Sequence, residues 1–470
     1  MRVLLLAPPT THLVPSAVPE VVDLETGTYP PLGLLYVAAF AEKATSHRIE
    51  VLDANLEKLS PEQIADEVRR RAPDLVGIQA LTFTLIDVVL AARAIKQACP
   101  EVLVVLGGPH VYLYPDETMG IAGVDYLIRG EGEEPFAQLL DTLAGGRDLA
   151  KVPGLVWRRG GKIVKNAVPP LLKDLDRLPH PARHLVPSQR YYSAVAREAP
   201  VTTLMSSRGC PYRCIFCDRP HWGKTFRARS APSVVEEMEL CARMGIREIF
   251  FYDDTFSISR RRVIEICERI RDRGLKVAWD IRARVNTLNE EVLDWLAAAG
   301  CARIHLGVEA GTPEILQVLR KDIDLDQARR VFEMAAERGI ATLSYFMLGS
   351  PTETRARIEQ TVAFAKSLPS DFAHFAITTP YPGTELYRLG LERGVFPRDY
   401  WREFARHPQP GFRPMVWDEV LTRDELIGLL GWAYKSFYRR PRYLIRRALK
   451  VRSWSELHRQ VRAGLKLLTS

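Results

Sequence analysis

A chain of 470 residues, 47% hydrophobic and 26% charged, is too long for one core and predicts a globular protein of two or three domains. Seven cysteines, three of them between positions 210 and 217, make no even disulfide framework, so thiols or metal ligands in a reducing cytoplasm are expected. The net charge of +8 is mild and gathers toward the end of the chain, so no nucleic-acid partner is expected; an anionic substrate or a membrane surface fits at least as well.

The opening MRVLLLAPPT has one charged side chain and a short apolar run before Pro8-Pro9, which reads as a buried first strand rather than a secretory signal. No run reaches the length that spans a bilayer. Over residues 1–145 short apolar strands (3–6, 49–52, 75–79, 102–106, 126–128) alternate with amphipathic helices (33–43, 61–71, 86–98, 134–144). That alternation predicts an α/β, Rossmann-like, doubly wound parallel sheet with a ligand crevice at the carboxyl ends of its strands. Residues 146–198 break the pattern: a hairpin is expected around Arg158-Arg159-Gly160-Gly161-Lys162, then a proline-rich linker through Pro179 and Pro181. A second series follows over 199–390, with strands at 203–206, 248–252, 278–282, 303–307, 341–346 and 373–378. Six strand-then-helix repeats predict a partial (β/α)6 barrel open on one side. Residues 391–470 read as a mainly helical, basic tail.

The chemistry concentrates in Ser207-Arg208-Gly209-Cys210-Pro211-Tyr212-Arg213-Cys214-Ile215-Phe216-Cys217, directly after a strand. Thiols spaced four and then three apart can wrap one face of a cubane cluster, binding three irons and leaving the fourth open. Zinc is the competing reading, with His221 as the close fourth ligand, although zinc motifs favour paired Cys-x2-Cys units. Cys99, Cys241, Cys267 and Cys301 lie in or beside predicted helices and read as small core residues. The Cys-x3-Cys-x2-Cys spacing, with aromatic Phe216 before its last cysteine, resembles the radical S-adenosylmethionine (SAM) superfamily. The resemblance implies a [4Fe-4S] cluster on Cys210, Cys214 and Cys217 that reductively cleaves SAM to a 5′-deoxyadenosyl radical.

The same resemblance assigns SAM contacts at other strand ends. Tyr252-Asp253-Asp254 stands where relatives hold the methionyl ammonium, and a carboxylate suits that cation, although one of Asp253 and Asp254 can instead cap the next helix. Gly307-Val308-Glu309-Ala310-Gly311 resembles the Gly-x-Glu-x-Gly pattern, with Glu309 implied at the ribose. Lys321, with Arg320 beside it, and the competing Arg284 are implied partners of the methionyl carboxylate. Gly349-Ser350-Pro351-Thr352-Glu353-Thr354 resembles the segment near the adenine; its plainer reading is a helix start.

Ahead of the barrel, Tyr29-Pro30-Pro31-Leu32-Gly33 and Leu106-Gly107-Gly108-Pro109-His110 resemble the cobalamin-binding domain that precedes such barrels. The resemblance implies a dimethylbenzimidazole tail tucked against the sheet, with Gly107, Gly108, Pro109, His110, Gly130 and Pro9 around the cofactor and Thr82 and Thr84 supplying hydroxyls. Cobalt-ligating domains carry Asp-x-His-x-x-Gly after the first strand; here Pro8-Pro9-Thr10-Thr11-His12 lacks the glycine, so no histidine is expected on the lower face of cobalt. Glu131 and Glu133 receive no chemistry.

The tail segment 434–447 mixes aromatics with six cations in fourteen residues, which suits either an anionic bilayer or a helical lid on the barrel. Both halves together resemble the cobalamin-dependent radical SAM family, related to magnesium-protoporphyrin ester cyclase and to C-methyltransferases. What this implies is methyl transfer from methylcobalamin to an unactivated carbon of a small-molecule, lipid or tetrapyrrole substrate, with flavodoxin or ferredoxin as reductant. The alternatives are a non-methylating oxidative cyclase and a non-catalytic cobalamin or iron-sulfur sensor. Tyr212, His221, Trp222, Tyr345, His374 and Tyr381 are candidates to line the substrate pocket.

Overall fold

The computed structural model describes residues 1–15, 27–217 and 222–450; His221 and the tail beyond Lys450 lie outside it. Its first sheet contains β1 (Arg2–Ala7), β2 (Arg48–Asp53), β3 (Leu75–Gln79), β4 (Leu103–Gly107), β5 (Tyr126–Ile128), β6 (Leu155–Arg159) and β7 (Lys162–Lys165), ordered β2-β1-β3-β4-β5-β6-β7. The first five run parallel. Helices cover both faces, so β1 is apolar after Arg2, as a strand buried on both sides must be. The chain winds outward from β1 in one direction to β2 and in the other to β3, so the loops after β1 and β3 diverge and leave a crevice.

The hairpin β6–β7 belongs to this sheet and not to an independent linker. Leu127 pairs with Val156 antiparallel, so the hairpin covers the edge that β5 would otherwise expose. Its turn residues Gly160 and Gly161 have φ of +54° and +77°, the left-handed pair that a tight two-residue hairpin requires.

The second sheet is wholly parallel and sequential: β8 (Val201–Leu204), β9 (Glu248–Phe251), β10 (Ala278–Ala283), β11 (Cys301–Glu309), β12 (Ala341–Leu348) and β13 (Phe372–Ile377). Thr342, Ser344, Phe346 and Leu348 are buried, whereas Ala341, Leu343, Tyr345 and Met347 are only half-buried. One face of β12 thus packs under helices and the other borders an open lumen. The first barrel strand ends at Leu204, two residues earlier than the expected 203–206, because Asp253 captures Ser206 through its backbone N–H (2.6 Å) and its hydroxyl (2.5 Å).

Through Lys450 the tail lies against the barrel's last strand. From the helix Arg423–Tyr438, the Tyr434 hydroxyl donates to the Phe375 carbonyl (2.9 Å) and accepts from its N–H (3.2 Å). Tyr438 does the same for Ala373, at 2.8 and 3.0 Å. These phenols satisfy backbone groups that an edge strand leaves unpaired.

Candidate active site at the domain interface

The cysteine loop starts two residues after β8 loses its ladder. Cys210 and Cys214 are buried and Cys217 is exposed. The loop is pinned at its middle: Ile215 donates its N–H to the Leu319 carbonyl (3.2 Å) and accepts from the N–H of Leu386 (2.9 Å). Arg284, at the end of β10, donates to the Cys214 sulfur (3.1 Å), and the Thr255 hydroxyl sits 3.6 Å from the Cys210 sulfur. Three thiols on one loop, two of them buried beside Arg284 and Thr255, fit a cubane, whose ligands bind separate irons and need not converge on one point.

A connected set of side chains surrounds this loop. The Arg284 guanidinium also donates to the Lys321 carbonyl and lies 3.8 Å from the centre of the Tyr212 ring. Lys321 Nζ donates to Glu309 Oε1 at 2.7 Å, and the ammonium is 5.9 Å from the Phe216 ring centre. Both members of the pair are buried, Lys321 at 5% and Glu309 at 8% exposure. They lie directly over Gly307: a Cβ there would meet Glu309 Oε1 at 2.2 Å and Lys321 Nζ at 2.9 Å. Glycine at 307 is what lets the strand end carry this ion pair. Cys214, Phe216, Arg284, Gly307, Glu309 and Lys321 therefore meet in one place.

Three expected SAM contacts sit differently. Asp253 is fully buried, its oxygens taken by the Ser206 N–H and the Ser206 and Ser207 hydroxyls at 2.5–2.6 Å, so it ties strand ends together. Asp254, the next residue, is the exposed carboxylate at that strand end. Gly349, with φ +77°, faces the C-terminal helix, where its Cβ would strike Leu426 at 2.7 Å. Arg320 turns out to the surface, paired with Glu385 at 2.9 Å. Within the same segment Glu353 is buried, with Oε2 accepting from the Ser350 N–H (2.9 Å) and Oε1 unpaired; burial pushes its carboxyl up to about 7.

In the first domain a cavity of about 310 Å³ opens at the carboxyl ends of β1, β3, β4 and β5. It lies between the helices Leu32–Ala44 and Glu133–Ala144 and is lined mostly by apolar side chains and glycines, among them Leu5, Gly77, Phe136, Gly107, Gly108, Pro109 and Gly130. A slot of this kind fits a flat heterocyclic tail lying against the sheet. Gly108 has φ +118°, and a Cβ there would lie 2.7 Å from the Ala80 carbonyl, so the β4 loop needs glycine to close. Pro9, Thr82, Thr84 and His110 do not line this cavity. The Thr82 hydroxyl lies 3.1 Å from His110 Nδ1, and burial lowers the His110 ring to about 3, keeping it neutral. Thr84 donates to the Leu81 carbonyl (3.4 Å), and Pro9 is buried within the loop after β1. His12 is held by Asp87, with Nδ1 2.8 Å from its carboxylate.

The cavity is capped from the barrel side. Arg208, two residues before Cys210, reaches Glu131 at 2.7 Å and Glu133 at 2.5 Å, while Arg227 reaches Glu131 at 2.9 Å. Arg208, Glu131, Glu133 and Trp222 all line the cavity, so a buried ion-pair network joins its rim to the cysteine loop. Arg208 and the glutamates are more than seventy positions apart, and no spacing rule connects them.

A doubly wound domain with a glycine-lined slot, coupled through Arg208 to a cysteine loop at the mouth of a six-stranded barrel, defines a two-cofactor enzyme of the corrinoid and iron-sulfur class. Residues 204–365 match the Radical SAM superfamily and residues 21–140 the B12 binding domain. An uncharacterized methyltransferase of Pyrococcus horikoshii is 36% identical over 449 residues, covering 95% of this chain and 94% of that relative. Anaerobic magnesium-protoporphyrin IX monomethyl ester cyclase of Rubrivivax gelatinosus is 27% identical, covering 89% of this chain and 75% of that one. Among solved structures, a radical SAM methyltransferase, TsrM, from Kitasatospora setae with cobalamin and a [4Fe-4S] cluster bound shares the fold, with TM-score 0.68, 22% identity and coverage of 84% and 75%. The chain belongs to the cobalamin-dependent radical SAM methyltransferase family. It is an enzyme, and its cofactors are a [4Fe-4S] cluster, SAM and cobalamin.

Proposed function

We propose that this enzyme transfers a methyl group to an unactivated carbon of a small molecule, with radical chemistry at the barrel mouth and the methyl group carried by the corrinoid. When bound, the cluster supplies the electron, SAM the adenosyl radical and cobalamin the methyl group. In this reading Cys210, Cys214 and Cys217 hold the cluster, and Arg284 donates a hydrogen bond to the Cys214 sulfur. Arg284 and Lys321 offer cations to the methionyl carboxylate, Asp254 a carboxylate to the ammonium and Glu309 acceptors to the ribose. Phe216 covers the Lys321 end of the site. The glycines at 107, 108 and 130 give the corrinoid's nucleotide tail room, and the Arg208 network fixes the cavity rim against the cysteine loop. The observation that carries the proposal is that continuity: one buried network touches both the cavity and the residue two before Cys210.

A second reading, oxidative ring closure without methyl transfer, draws support from the likeness to the Rubrivivax cyclase. Small-molecule substrates suit both, and lipids or tetrapyrroles extend the class; flavodoxin or ferredoxin is the proposed reductant. Peripheral contact with an anionic bilayer is proposed for the tail, where Leu444 and Ile445 are exposed at 52% and 63% among arginines. No helix among the described residues is long and apolar enough to cross a membrane. Quantifying S-adenosylhomocysteine against 5′-deoxyadenosine during turnover separates the readings. Methyl transfer yields both in step, whereas ring closure yields 5′-deoxyadenosine alone and would overturn the proposal.

A further inference from the structure

The inner face of the second sheet carries polar groups that the cofactor site does not use. On β13, Phe372, His374 and Ala376 are half-buried while Ala373, Phe375 and Ile377 are buried, the same alternation as on β12. Strand register places Gly307 beside Tyr345 and Tyr345 beside His374. On the neighbouring strands, Tyr252 and Arg282 are half-buried at the ends of β9 and β10, with Arg282 in register with His305 on β11. These side chains are the half-buried ones on the inner face of the sheet below the barrel mouth.

Arg282 is unusual among them. Its Nη1 donates to the Phe251 carbonyl (2.5 Å), and its guanidinium stacks 4.1 Å from the Tyr252 ring centre. Yet no carboxylate among the described residues lies in ion-pair range of it. The nearby acid, Asp280, is bound by Arg303 (2.9 Å) and His305 (3.0 Å), and Glu248 is bound by Arg303 (2.9 Å). Asp280 acts on Arg282 at longer range, and its Oδ1 has no partner; the two histidines beside it are neutral. Burial lowers His374 to about 4 and also holds His305 below the usual histidine range. His305 Nε2 lies 3.0 Å from Asp280 and accepts from Arg303 Nε (3.3 Å), while Nδ1 lies 2.8 Å from the Tyr345 hydroxyl.

We infer that Arg282 is the anion receptor of a substrate chamber inside the barrel, and that the substrate is a small molecule bearing a carboxylate or phosphate on an apolar or planar body. The inference rests on reading the barrel as a radical active site. A planar guanidinium grips either oxyanion through two parallel hydrogen bonds, and the rings of Tyr252, Tyr345 and His374 offer flat apolar walls. Arg282 is two residues before Arg284, which reaches Cys214, so it sits about 7 Å deeper along the strand. An anion held there leaves the body of the substrate pointing up toward the cluster loop and the corrinoid cavity.

The test uses holoenzyme loaded with cluster and cobalamin, titrated calorimetrically with 4-phenylbutyrate, phenyl phosphate and the neutral 4-phenylbutyramide. Both anions are expected to bind at least tenfold tighter than the amide, and their order distinguishes a carboxylate site from a phosphate site. Arg282→Gln is expected to weaken the anions at least tenfold and leave the amide unchanged, with Arg282→Lys recovering part of the loss. Cluster and cobalamin stoichiometry report whether each variant is folded; if the glutamine variant is not, the lysine variant and the comparison of anion with amide decide. Equal binding of anion and amide by wild type, no binding of either anion, or unchanged anion affinity in folded Arg282→Gln overturns the inference. SAM cleavage by wild type is measured separately, so failure of the radical reading is seen on its own.

Discussion

Replacing Lys321 with methionine strips the ammonium from Glu309 in a site where both are at most 8% exposed. Breaking a buried pair by removing one partner ordinarily costs about 3–5 kcal/mol, because the remaining charge is stranded. Here the carboxylate has an escape, which is to take up a proton. Against an ordinary glutamate pKa of about 4.3, protonation at pH 7 costs about 4 kcal/mol at 1.36 kcal/mol per unit, and at pH 5 about 1 kcal/mol. The loss in Lys321→Met is therefore capped near 4 kcal/mol at neutral pH and should shrink roughly fourfold at pH 5. Urea unfolding at the two pH values, followed by tryptophan emission with fully buried Trp279 as a reporter, measures it. The double variant Lys321→Met/Glu309→Gln removes the stranded charge and should recover most of the stability at pH 7 without recovering SAM affinity. An equal loss at both pH values, or a double variant as unstable as the single, would refute the reasoning.

Gly77→Leu should fill the cavity between Leu5 and Phe136, since even a Cβ there comes within 2.7 Å of Leu5; cobalamin retained per chain should fall at least tenfold while the cluster absorbance stays. Glu353 has a folded pKa of about 7, raised by burial, so the native state binds the extra proton between about pH 4.5 and 7 and stability falls as pH rises through that window. Glu353→Gln should flatten that fall by about 3 kcal/mol, read from unfolding curves at pH 5 and 8. Tyr434→Phe and Tyr438→Phe each uncover one N–H and one carbonyl on β13 and should cost about 1–3 kcal/mol apiece in urea unfolding.

The parallel strands were legible because strands buried on both faces are continuous apolar runs bounded by turn residues: 75–79 and 126–128 stand as expected, and the ends of the others moved by one or two residues. The cysteine loop was legible because its chemistry lies in local spacing. What spacing could not reveal was pairing at a distance. Glu131 and Glu133 received no chemistry from the sequence, and only folding brings Arg208 onto them. The two aspartates after β9 were interchangeable in sequence, and the strand pleat sent Asp253 inward to Ser206 and Ser207 and Asp254 outward. Gly349 fitted a cofactor motif, yet Leu426 on a helix more than seventy residues away is what demands a glycine there. The aromatic and basic tail matched a membrane pattern because the same tyrosines that suit an interface also suit a strand edge, and Tyr434 and Tyr438 serve the edge. Arg282 carried no sequence signal, since its interest lies in the carboxylate it lacks.

The central claim is that Cys210, Cys214 and Cys217 present a cluster with one open iron to SAM. Electron paramagnetic resonance of anaerobically reconstituted, reduced protein, recorded with and without SAM, tests it most directly. The account requires a reduced cubane signal in wild type that changes on adding SAM and is absent when Cys214 is alanine. A cubane signal that ignores SAM, or one that survives the loss of Cys214, contradicts it.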